Sequence, residues 1–444
     1  MKSRKDAPVE ALIRRVVERA VDAARPSSLF KDGFQLVFGT LNAFGSRVDL
    51  ISGSGVRCVA IGKSAEAMAH EVRKELGGRV SGIIASSVKK HIGVDGFEFY
   101  ETGHPIPDEE SVRAGRAALD LVASAYPDDL IIFLISGGGS ASVFVPVEGV
   151  SLSDANSVMK LLFENGVPIE KVNLVRRHLS RLGGGKLSAA APGKKKLSLI
   201  ISDVVGDDLA SIASGPTVTD ESTPGDVLRF LEESGLVDRM PKAVPAALRR
   251  EEKIRCEPLL SECTAKVIAS NRNALDAARK TCVEDGLNPI VLTRFWEGIA
   301  DEAAKAVVSI ARSIEKDELP VPTPAIVLIG GETTVKVSGA GRGGRNQHLV
   351  LSALAQALDL EMNGTRLDRS TFFSFGTDGK DGNSDAAGAF GSVKTLDGIS
   401  DKQRAVEDYL RRNDSNSFFA KYSGLIETGP TDTNVMDIFG VIVA

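Results

Sequence analysis

Short, uninterrupted apolar runs separated by stretches of helical period set the rhythm of this chain. Val56–Ile61, Leu130–Ile135 (LIIFLI) and Leu197–Ile201 (LSLII) read as strands buried on both faces, with Ile83–Ala85 and Phe97–Tyr100 as shorter companions. Between them, 64–76, 109–125 and 153–165 place apolar residues at helical spacing, the last with Ser153 as its N-cap. Pro8–Ala24 is amphipathic as well, with Leu12, Val16, Val17 and Ala20 opposite a row of arginines. Alternation of this kind predicts a mostly parallel sheet covered by helices on both faces. The second half repeats the theme with strands 266–269, 289–292, 371–375 and 439–443 and a long helix over 299–314. Prolines and charges cluster over 239–258, which predicts a seam and two α/β domains, 1–240 and 241–444. The front helix, 8–24, docks on either one.

The stretch Ile326–Gln347 concentrates unusual chemistry. An apolar strand breaks at Gly330–Gly331 and Glu332 follows. A second short strand, 334–337, then leads into a glycine-rich loop, 339–344, flanked by Arg342 and Arg345. A helix predicted over 346–358 begins at Asn346. Two guanidinium groups and open backbone N–H groups at a helix N-terminus suit phosphate, and so does arginine's planar fork. A surface hairpin with two solvated arginines fits the loop equally well.

Composition narrows the field. Hydrophobic residues make up 43% and charged residues 25% of the 444 positions, with a formal net charge of −5. That balance belongs to a globular protein and speaks against nucleic acid as the main ligand. The four cysteines (Cys58, Cys256, Cys263, Cys282) form neither a C-x-x-C pair nor a zinc spacing, so free thiols are expected. With no apolar leader and no membrane-length run, a cytoplasmic protein is expected.

Ligands in open parallel sheets bind beyond the carboxyl ends of the strands, and those ends are polar here. They carry Lys63 after the first strand and His104 after 97–100. After LIIFLI comes Ser136-Gly137-Gly138-Gly139-Ser140, and after LSLII come Asp203, Asp207 and Asp208. Asp378, Asp381 and Asp385 follow 371–375. Taken singly, each has a bland reading as a surface lysine, a turn histidine, a tight turn or a capping aspartate. Together, cations, backbone nests and carboxylates suit phosphoryl transfer, which needs positioning and charge neutralisation above all. The carboxylates would hold Mg²⁺ with substrate phosphates, or one would take a proton from an attacking hydroxyl. Known motifs fail: no glycine-rich loop precedes Gly62-Lys63-Ser64, and no G-x-G-x-x-G joins a strand to a helix.

The motifs become specific as a set. In order they are AIGKSA (60–65), TGHPIPD (102–108), LISGGGSA (134–141), NLVRRHLSRLGGGKLS (173–188) and SDVVGDDLASIASGPTV (202–218). GGETTV (330–335), GRGGRNQ (341–347) and GTDGKDGNSDAAGA (376–389) complete the series. With these the sequence resembles class II glycerate kinases (glycerate 2-kinases), whose C-terminal part is called the MOFRL domain, here about 323–443. The resemblance spans nearly the whole chain. It implies two α/β/α domains, the first Rossmann-like and mostly parallel, the second of MOFRL type, with the active site in the cleft between them. It implies ATP-dependent phosphorylation of D-glycerate to 2-phosphoglycerate, with Mg²⁺ or another divalent metal. The family's proposed essential lysine and arginine fall on Lys63 and Arg345, which would neutralise the transferring phosphoryl group from opposite domains. Asp203 and Asp378 are first choices for base or metal, with Asp207 and Asp381 as further metal candidates. Ser136–Ser140, His104, Arg342, Asn346 and Glu332 are candidates for holding substrate or phosphate. Val205 and His348 depart from the family's usual proline and glutamate. A nicotinamide-dependent hydroxypyruvate reductase is the rival reading, since similar proteins have carried that name; a non-catalytic sensor of a small acid is the third. A small-molecule substrate is expected, with no nucleic acid or membrane partner, and homodimer formation is left open.

Overall fold

The computed structural model describes residues 7–51, 53–88, 92–191, 194–254 and 263–444, so Cys256 lies outside the described residues. The chain divides into two compact units, one of residues 26–268 and the other of 1–25 with 269–444.

The first unit opens with a three-stranded antiparallel sheet, β1 (Phe34–Val37), β2 (Thr40–Ala43) and β3 (Ser46–Asp49). Its main sheet comprises β4 (Val56–Ile61), β5 (Val80–Ser86), β6 (Phe97–Glu101), β7 (Leu130–Ile135), β8 (Lys195–Ile201) and β9 (Thr264–Ala269). The spatial order is β6-β5-β4-β7-β8-β9, and β4 to β8 pair in parallel throughout. This is the doubly wound order, in which the chain runs outward one way from β4 and the other way from β7. The apolar runs are strands because helices cover both faces: all six residues of β7 are buried. Each such side chain stabilises by about 1.5–3 kcal/mol. Capping boxes start the helices Glu109–Ala123 at Asp108 and Leu152–Glu164 at Ser151. The cap expected at Ser153 therefore falls two residues earlier, because only Ser151 has an acid, Asp154, three places on to close the box.

The boundary at 268/269 lies well beyond the expected 240/241. Helix Ala243–Ile254 packs on helix Pro224–Glu233, and β9 completes the first sheet, so the proline-rich stretch lies within a unit. The front helix, Ala7–Asp22, packs on helix Asn271–Glu284 of the second unit, where Arg15 pairs with Asp285 at 2.8 Å.

The second unit holds β10 (Asn288–Ile299), β11 (Ala325–Thr334), β12 (Ser370–Gly376), β13 (Gly388–Gly391), β14 (Leu425–Ile426) and β15 (Asp437–Val443). The order is β10-β11-β15-β12-β13-β14, and only β10 and β11 are parallel. The C-terminal strand inserts antiparallel to both β11 and β12, and all seven of its residues are buried. Two expectations change here. β11 does not break at Gly330–Gly331 but runs on to Thr334, held by pairing with β10 and β15. The separate strand over 334–337 is absent, since residues 335–338 have no ladder partner.

Candidate active site

The strand order of the first unit reverses between β4 and β7, and their carboxyl ends carry the chemistry expected of a switch point. After β4, Gly62-Lys63-Ser64 leads into helix Ala65–Leu76; after β7, Ser136–Ser140 turns into the single helical turn Gly139–Ser142. Lys63 N–H donates to the Gly137 carbonyl at 2.9 Å. Ser136 Oγ accepts from Ser64 N–H at 3.0 Å and donates to the Ile61 carbonyl. The Ser136 hydroxyl thus ties the two loops together.

Around Gly137 and Gly138 the predicted residues converge. A methyl group on Gly137 would lie 1.7 Å from Asp203 Oδ2, so only glycine lets the carboxylate approach. A methyl on Gly138, at φ +82°, would lie 3.1 Å from the His104 ring and 3.6 Å from Lys63 Cγ. The N–H groups of Gly137 and Gly138 have no acceptor among the described residues, the arrangement of an anion nest. Two buried hydroxyls nearby in sequence, on Ser64 and Thr102, are also without a hydrogen-bond partner there. Ser140 Oγ lies 2.7 Å from Ser214 Oγ, joining the turn to the strained segment Ala213–Ser214, both at positive φ.

His104 is exposed, and its pKa is lowered from 6.5 by partial desolvation and by the charges of Lys63 and Arg176. Sequence reasoning missed Arg176. It stands in the RR doublet of helix Ile169–Leu179, and nothing in the doublet says which arginine meets the site. Asp208 is a local turn former, accepting from Ala210 N–H and Ser211 Oγ. Asp207 sits in the same loop at φ +58°.

In the second unit the glycine-rich loop differs from expectation. Asn413 Oδ1 accepts from Ser338 and Gly339 N–H, Asp414 Oδ1 from Arg342 N–H, and Asn383 Oδ1 from Gly343 N–H. Helix Arg345–Met362 then begins, and Asp381 accepts from Asn346 N–H at 3.0 Å and Gln347 N–H at 2.9 Å. The anion at this helix N-terminus is therefore the protein's own carboxylate. Asp381 also accepts from the side-chain amides of both residues and is 2% exposed, which makes it a buried cap with four donors and a poor metal ligand. Its pKa is pushed up to about 6 by burial, against the pull of those N–H groups and with a further push from Asp437.

Arg345 is clamped. Its Nε and one terminal nitrogen donate to the two oxygens of Asp437, at 2.5 and 3.1 Å, and its other terminal nitrogen donates to Glu332. Burial pushes the Asp437 carboxyl up while Arg345 pulls it down. Asn346 donates to Asp437 and accepts from Ser374 Oγ, so it braces the clamp. Arg342 is exposed, 3.8 Å from an exposed Asp385. Asp378 stands beside Gly376, its Oδ1 accepting from Lys380 N–H. Of the departures from the family pattern, His348 pairs with Asp301 at 3.1 Å, away from the Arg345 clamp.

Among the described residues, no group of three His, Cys, Asp or Glu side chains is arranged to hold a metal ion. A metal cage made by the protein alone is thus not built there. A Mg²⁺ that arrives on nucleotide phosphates needs only one or two carboxylates from the protein.

Comparison with known proteins shows the family. The family model of a domain of unknown function, DUF4147, matches residues 12–249, and that of the MOFRL family matches residues 325–437. A D-glycerate 2-kinase of Thermotoga maritima is 37% identical over 388 residues, covering 87% of this chain and 90% of that protein. The chain belongs to the glycerate 2-kinase family. A crystal structure of a glycerate kinase from Thermotoga maritima superposes with a TM-score of 0.85 at 32% identity, over 99% of this chain and 100% of that one. A protein named a putative hydroxypyruvate reductase, from Agrobacterium vitis, is 36% identical over 87% of each chain. No helix among the described residues is long and apolar enough to cross a membrane.

Proposed function

We propose that this protein transfers the γ-phosphoryl group of ATP to the 2-hydroxyl of D-glycerate, releasing ADP and 2-phosphoglycerate. The observation that carries the reading is the likeness to a D-glycerate 2-kinase over 87% of the chain, with Lys63 and Asp203 at the switch-point nest. The hydroxyl oxygen attacks phosphorus, the bond from phosphorus to the β,γ-bridging oxygen breaks, and the hydroxyl proton passes to a carboxylate. Asp203 is our choice for that base, because its neighbour Gly137 lets it reach the nest. Lys63 supplies a compact positive charge to the phosphoryl oxygens, and the Gly137 and Gly138 N–H groups supply fixed dipoles. Arg345 keeps guanidinium N–H donors beyond those used by Asp437 and Glu332, so it is a pre-oriented donor for an anion. Asp378 is our candidate for holding a divalent cation bound with ATP, which would neutralise phosphate charge. Asp381 drops to a structural role in this proposal.

The name of the Agrobacterium vitis relative favours a second reading, NAD(P)H-dependent reduction of hydroxypyruvate. The strand order suits a dinucleotide, yet Gly62-Lys63-Ser64 stands where the glycine fingerprint belongs. Two assays separate the readings: ADP release with D-glycerate, and NADH oxidation with hydroxypyruvate. We expect turnover in the first alone, and a 2-phosphate in the product by phosphorus NMR. Turnover in the second alone overturns the proposal.

A further inference from the structure

We infer that Arg176 holds the carboxylate of the acceptor acid and so selects a hydroxy acid over an uncharged polyol. The inference rests on the kinase reading above and names the group that grips its substrate.

Helix Ile169–Leu179 presents three consecutive cationic or titratable residues, and two are already committed. Arg177 pairs with the buried Asp220 at 3.3 Å; His178 bonds Ser222 Oγ at 2.9 Å and lies 3.5 Å from Asp220. Val172, Val175 and Leu179 bury the stripe beside Arg176. Anchored on both sides, the helix leaves Arg176 half-buried, with one long hydrogen bond, to Asn173 Oδ1 at 3.4 Å. No carboxylate lies within ion-pair distance of it among the described residues. Other half-buried arginines here do have one: Arg57 has Asp129, Arg177 has Asp220 and Arg345 has Asp437. A guanidinium withdrawn from water without a counter-charge is costly, and an arriving anion relieves that cost.

Its place ties it to the nest. The helix packs against Ile212–Ser214, and Ser214 meets Ser140 at 2.7 Å. Arg176 and Lys63 both act on His104, which borders Gly138. The two cations suit different loads. Lysine is a compact point charge, suited to a phosphoryl group in transit; the guanidinium fork matches a planar carboxylate oxygen for oxygen. ATP carries phosphates but no carboxylate, so the acid must come from the acceptor.

The test uses Arg176→Gln and Arg176→Lys in the full chain, with D-glycerate and ATP varied separately and glycerol as the uncharged acceptor. R176Q is expected to raise KM for D-glycerate about 10–100-fold while KM for ATP stays within about twofold, the loss expected for a charge-assisted hydrogen bond. The ratio of glycerol to glycerate turnover should rise, and R176K should recover part of the glycerate affinity. The melting temperature of R176Q should match or exceed that of the wild type, since an uncompensated charge has gone; a marked fall would assign Arg176 a structural role instead. A rise confined to KM for ATP would make it a phosphate ligand and overturn the inference, as would unchanged kinetics. Calorimetric titration of D-glycerate into nucleotide-free protein keeps the two proposals apart. Wild-type binding that R176Q loses upholds Arg176 even if no turnover is found, whereas equal binding by both rejects it.

Discussion

The two glycine-rich loops of this protein look interchangeable in sequence and do opposite things. Gly339–Gly344 is closed on itself: Asn413, Asp414, Asn383 and Asp381 take the N–H groups of the loop and of the helix that follows. At Gly137–Gly138 the N–H groups remain open, and Lys63, His104 and Asp203 gather round them. Glycine thus serves close packing in one loop and ligand approach in the other. The difference lies in whether the protein supplies its own anion. Arg345 and Arg176 repeat the contrast, the first clamped by two acids and the second without one among the described residues.

The largest effect separating the two loops is expected from Lys63→Ala. It should lower kcat/KM by about 1000-fold, because the lysine meets developing charge. Near-normal turnover would remove the nest from the chemistry. Next comes a paired substitution. Gly137→Ala should cost about 100-fold in kcat/KM by displacing Asp203, with little loss of stability. Gly341→Ala should do the reverse, since its methyl would lie 2.5 Å from Asp414 Cβ: about 1–3 kcal/mol of stability lost in urea, with the folded protein still active. If both variants failed in the same way, the contrast would collapse.

Asp381 gives a smaller, pH-dependent effect. Its folded value of about 6 lies above the 3.8 of a free aspartate, so the native state holds the proton more tightly. That contribution to stability is complete below pH 4 and is lost as pH rises through 6. Asp381→Asn should flatten this part of the stability curve and cost about 1–3 kcal/mol at pH 7, because one amide oxygen cannot serve four donors. A denaturation series from pH 4 to 7 reads both. Smallest of all is the titration of His104. Its imidazole should titrate below 6.5, and Lys63→Ala should move it back upward; an unmoved value would place the lysine's charge elsewhere.

Much of the first unit was legible because its information is local. VRCVAI and LIIFLI announce two-sided burial, and the residues that follow such strands lie at the carboxyl edge whatever the details of packing. Lys63, Gly137 and Asp203 could therefore be nominated together. The second unit hid its logic in distant partners. Nothing in DIFGVIV tells that the last strand inserts antiparallel between β11 and β12, because a doubly buried run carries no direction. Nor does GRGGRNQ reveal that Asp381, 35 residues after Asn346, fills the helix terminus that looked ready for phosphate. Arg176 and Arg177 are neighbours with opposite fates, decided by a buried Asp220 more than 40 residues on. Ser151 against Ser153 was decidable from sequence, since Ser151-x-x-Asp154 is a complete capping box.

The most direct test follows backbone amide resonances in deuterated, full-length protein as ADP and D-glycerate are added. The account predicts that the Gly137 and Gly138 amides shift at saturation while those of Gly339 and Gly341 stay in place. Movement of Gly339 and Gly341 with a silent Gly137–Gly138 pair would contradict it.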